Sequence, residues 1–74
     1  MENKHLKAIL KKLEGERDEH IADLEVYLMN PVGVGEHSAV GVEIEKKIGL
    51  IEELDGKIET IKKYYGTPKT VGNG

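Results

Sequence analysis

An apolar stripe at helical spacing dominates the second half of the chain. Val40, Ile44, Ile48, Ile51, Leu54, Ile58, Ile61 and Tyr65 recur in steps of three and four, so one face of a helix from about residue 38 to 65 is aliphatic. Ser38 suits its N-cap and Gly66 its C′ position, and Pro68 prevents continuation. The first half repeats the pattern more weakly. Leu6, Leu10, Leu13, Arg17, His20, Leu24 and Tyr27 alternate in steps of four and three, flanked by Ile9, Ile21 and Leu28, with Arg17 and His20 forming a polar patch halfway along. This helix is expected from an N-cap at about Asn3 to Met29, because Pro31 lacks an N–H and disfavours helical geometry at Asn30.

Two helices of about 27 residues joined by a short turn at 30–37 define an all-α fold, an antiparallel two-helix hairpin about 40 Å long. Residues 1–66 form this hairpin and 67–74 a mobile tail with little to bury. With the turn centred near Val34, the register sets Leu28 near Val40, Leu24 near Ile44, His20 near Ile48 and Arg17 near Ile51. Beyond these, Leu13 falls near Leu54, Leu10 near Ile58 and Leu6 near Ile61. Arg17 can pair across the seam with Glu52 or Asp55, a polar layer that fixes register. Gly15, Gly41, Gly49 and Gly56 fall inside the helices, each costing about 1 kcal/mol against alanine. They are either tolerated, or required for close approach within the hairpin or to another subunit.

A single seam cannot enclose a core. Ile9, Val26, Met29, Val42 and Leu50 fall off it, and with no Cys and no Phe or Trp the chain has neither a disulfide staple nor large aromatic filling. A homo-oligomer is therefore expected, with hairpins combining into a helical bundle. Charge is unevenly spread. Residues 1–12 and 57–74 each carry four Lys and one Glu, whereas 13–56 carry three basic and twelve acidic groups. Folding at Val34 makes the open end basic and the remainder acidic, which favours antiparallel docking or an acidic partner. Specific nucleic-acid binding is disfavoured by the net charge of −3 and by lysines without interleaved stacking aromatics. With no apolar run of membrane length and no leader-like start, the expected location is the cytoplasm.

The turn is where recognition chemistry would lie. In Val32, Gly33, Val34, Gly35, Glu36, His37 and Ser38, the glycines can take positive φ and Ser38 opens the second helix. That geometry alone accounts for the segment. The same run leads into a helix N-terminus, where free amides favour an anionic small ligand, although Glu36 opposes one and no Lys follows the second glycine. Val32 and Val34 fit contact with another chain equally well. No catalytic residues, metal ligands or cofactor are assigned: His37 and Ser38 are neighbours in sequence that do not face each other, and His5, His20 and His37 lack metal-ligand spacing.

The stretch "YLMNPVGVGEHSAVGVEIEKKI", with a second helix ending "KIETIKKYYG", resembles small uncharacterised proteins of tailed bacteriophages built as a helix, an "NPVGVGEH"-type turn and a second helix. The likeness covers roughly Leu24 to Tyr65. It implies a phage origin and the hairpin form, with no activity to carry over. Ser38-Ala39 stands where an acidic residue often follows the His, which weakens the transfer of any shared role to His37. The resulting expectation is a non-enzymatic phage accessory protein that binds a host or virion protein in the host cytoplasm. The alternatives are a protein sequestering a nucleotide-like signal at the turn, and a minor structural component of the virion. Nucleotide addition in a thermal-shift assay separates the sequestering protein from the others.

Overall fold

The computed structural model describes residues 3–29 and 38–66, with the side chains of 38 and 39 excepted. The turn expected at 30–37 and the tail at 67–74 lie outside the described residues. Two helices form the fold: α1 (Lys4–Met29) and α2 (Ser38–Tyr65), packed against each other as an all-α hairpin. Asn3 caps α1 as its sequence position suggests. Its side-chain Oδ1 accepts the Leu6 N–H at 3.0 Å, and its carbonyl takes the Lys7 N–H at 3.0 Å. Asn3→Ala is expected to cost about 1 kcal/mol and to fray the first turn, read as a lower midpoint in urea at fixed protein concentration. At the other end, the Gly66 N–H donates to the Lys62 carbonyl at 3.0 Å, and a Cβ on Gly66 would be driven into that same oxygen. Gly66 is thus required for space. Lys62 and Lys63 in the last turn of α2 face the negative end of its dipole.

The core consists of Leu13, Leu54, Ile58 and Ile61, with Leu10 packed against it, in line with the expected facing of Leu13 with Leu54 and of Leu10 with Ile58. Ile58 is the most buried of them, at 4% exposure. All four lie in the half of the hairpin away from the turn. Leu24 and Ile44, at matched levels in the turn half, are only half-buried.

Two seam assignments need correction. Ile48 is 53% exposed and Leu28 is 60% exposed, so neither packs in the seam. The seam of α2 instead runs through Val40, Ile44, Lys47, Ile51, Leu54, Ile58 and Ile61, alternating four and three as α1 does through Leu6 to Tyr27. Matched 4–3 alternation keeps both stripes facing along their full length, as in a coiled coil. A position at Ile48 would break that phase, and Lys47 takes its level. Lys47 lays its methylenes along the seam, with its side chain only 18% exposed.

The four internal glycines do not serve close approach within the hairpin. A Cβ built on Gly15, Gly41, Gly49 or Gly56 meets nothing within 4 Å. That half of the close-approach expectation is overturned.

Candidate functional site

The middle of the seam is polar because both helices place charged or polar residues on consecutive levels: Arg17 and His20 on α1, Lys47 on α2. The Arg17 Nη1 reaches Asp55 Oδ1 at 3.4 Å, and its Nε donates to Asp18 Oδ1 at 3.1 Å. Of the two partners anticipated for Arg17, the structure selects Asp55. Hydrogen bonding to Asp18, opposed by some desolvation and assisted by Asp55, raises the guanidinium pKa above its ordinary value, so Arg17 stays cationic at any working pH. One level nearer the turn, the Lys47 ammonium donates to Asp23 Oδ2 at 3.1 Å and sits 3.1 Å from His20 Nδ1. With Lys47 as the donor, Nδ1 must supply the lone pair, which leaves the ring proton of a neutral imidazole on Nε2.

These groups hold register more than they bind. They are exposed or half-exposed, and no polar or charged side chain among the described residues is buried. A further cross-helix pair, Lys62 with Glu14 at 3.5 Å, lies in the half away from the turn. Among the described residues no group of three or more His, Cys, Asp or Glu side chains is placed to hold a metal ion. Among the described residues no helix is long and apolar enough to cross a membrane. An open groove between the helices over Ile9, Leu13, Gly56, Thr60 and Ile61 is also lined by Glu52, Glu53 and Lys57. Thr60 closes its hydroxyl onto the Gly56 carbonyl at 2.8 Å.

Of the turn residues singled out from sequence, Val32, Gly33, Val34, Gly35, Glu36 and His37 lie outside the described residues, and Ser38 is the first residue of α2. The described segments on either side share one property. Val26, Leu28 and Met29 at the end of α1, and Val42 and Ile48 in the first half of α2, are all exposed, Met29 to 81%. Residues 26–29 read Val-Tyr-Leu-Met, so the last turn of α1 is apolar all round, as in a helix covered on every side. Sequence reasoning placed Val26, Met29 and Val42 off the seam, and these are exposed. Leu50, placed with them, is half-buried. It missed Leu28 and Ile48, whose exposure follows from the strict 4–3 phase.

The fold defines an all-α helical hairpin whose described residues flanking 30–37 expose apolar side chains. The chain matches no protein-family model, no curated protein and no solved structure at a significant level.

Proposed function

We propose that this protein is a non-enzymatic, oligomeric helical hairpin, a phage accessory protein that acts by binding a host or virion protein in the host cytoplasm. The observation that carries the reading is the imbalance of apolar burial. Among the described residues four large aliphatic side chains are buried, whereas eight large hydrophobics are exposed, five of them on the segments flanking 30–37. Each aliphatic side chain left in water forgoes about 1.5 to 3 kcal/mol of burial. Scattered single residues would need no explanation, but a helix end apolar on all sides does. Self-association covers part of this surface, and the turn itself, carrying Val32, Val34 and His37, is the segment left to meet the other partner.

Sedimentation at micromolar concentration tests the first half of this reading. The expected particle is at least twice the 8.2 kDa chain mass, and Met29→Ser with Val26→Ser should shift it toward monomer while helix content persists at high concentration. A folded monomer across that range would remove the basis of the proposal.

A further inference from the structure

The exposed apolar residues fall in two groups of opposite charge. Around the turn half, Val26, Leu28, Met29, Val42 and Ile48 are interspersed with Asp23, Glu25, Glu43 and Glu45. Lys46 and Lys47 are the basic residues there, and they are engaged by Glu43 and Asp23 at 3.5 and 3.1 Å. At the other end Ile9, Tyr64 and Tyr65 are exposed among Lys4, Lys7, Lys11, Lys12, Lys62 and Lys63, which outnumber Glu52 and Glu53 beside Ile9 and Glu59 beside Tyr64. Lys4, Lys7 and Lys11 line one shallow depression with Ala8 and form no ion pair among the described residues. Lys63 lies over the Tyr64 ring, 5.3 Å from its centroid, so the cation and the aromatic surface form one patch.

We infer that the occupant of this surface is a second copy of the chain, docked side by side with its long axis reversed, so that the apolar acidic turn half of each hairpin covers the apolar basic open end of the other. The inference rests on the oligomer reading above and specifies its geometry. Both halves of the complementary pair are present on one chain, so a two-fold axis through the middle of the hairpin makes the same contact twice and closes the assembly. The helices are 26 and 28 residues long, so the ends of two reversed hairpins coincide. A parallel dimer would stack the basic ends on each other and the acidic halves on each other, and opposition of like charge is the stronger discriminator between the two orientations. The assembled form is a four-helix bundle with residues 30–37 of one copy at each end.

The chain has no cysteine, so single labels can be placed at will. Gly41→Cys, where a Cβ meets nothing within 4 Å, marks the turn half, and Tyr64→Cys marks the open end. Each variant carries a nitroxide, and dipolar distances are measured separately and in a mixture, with sedimentation run on the same samples. In the antiparallel dimer each label lies about 30 Å or more from its own copy along the axis, and the mixed pair falls almost level. In a parallel dimer like labels are level, and the mixed pair is about 35 Å apart along the axis. Like labels at close range in an intact dimer overturn the antiparallel geometry and leave the oligomer reading standing. A monomer of the unsubstituted chain, sedimented at the labelling concentration, overturns both. Association should also weaken several-fold between low and high salt, and unchanged association would count against charge as the orienting force.

Discussion

Replacing Ile58 with alanine is expected to remove about 2 to 5 kcal/mol of stability. Ile58 is the most buried of the core residues described, at 4% exposure, in a small cluster with Leu13, Leu54 and Ile61 against which Leu10 packs, so the vacated volume has few neighbours able to collapse into it. For a chain of this length total stability is on the order of 4 to 11 kcal/mol, and the substitution removes a large share of it. Leu24→Ala and Ile44→Ala serve as internal comparison. Both are half-buried, so the loss should be about 1 kcal/mol each rather than the full cost of a core truncation. Urea unfolding at one fixed protein concentration checks the ordering, since association couples apparent stability to concentration. Equal losses at all three positions would mean that the core extends into the turn half.

Converting Gly15, Gly41, Gly49 and Gly56 together to alanine is expected to stabilise the chain by about 3 to 4 kcal/mol. Every one of these sites has room for a Cβ, each lies in a helix interior, and the residues are far enough apart to act nearly additively. At about 4 to 8 °C per kcal/mol for a domain of this size, the melting temperature should rise by tens of degrees. Circular dichroism on thermal scans gives the answer directly. If melting instead falls and the particle becomes smaller, another subunit's helix rests on these glycines.

The bounds of both helices were legible because their ends carry local chemistry: an asparagine that caps, a proline without an N–H, a glycine with no room for a side chain. The core pairs were legible because Leu13, Leu54, Ile58 and Ile61 keep helical period and hydrophobicity in agreement. At Lys47 and Ile48 those two signals part. A stripe read by hydrophobicity selects the isoleucine, but phase selects the lysine, and phase decides because a seam shared by two helices must stay in step with both. His20 and Asp23 then supply Lys47 with partners 24 to 27 residues away in sequence, a pairing no local window contains. The turn expected at 30–37 lies outside the described residues, and the sequence around Gly33 and Gly35 carries no signal for what Val34 or His37 touches.

The placement of the core away from the turn also dictates the route by which the hairpin forms. A helical hairpin packed best at its turn can zip outward, each step closing a short loop and burying a residue. Here the half-buried levels of Leu24 and Ile44 come first and return little, and the earliest well-buried contact, Leu13 with Leu54, encloses about 40 residues of chain. Closing a loop of that length costs about 3 kcal/mol, beyond a constant term, before the core repays it. The barrier therefore lies in bringing Leu13 and Leu54 together across that loop, so substitutions at either should slow folding, whereas changes near Leu24 should chiefly speed unfolding. A nascent chain cannot make this contact until Leu54 has left the ribosome, so the first helix waits, unpacked, for most of the second.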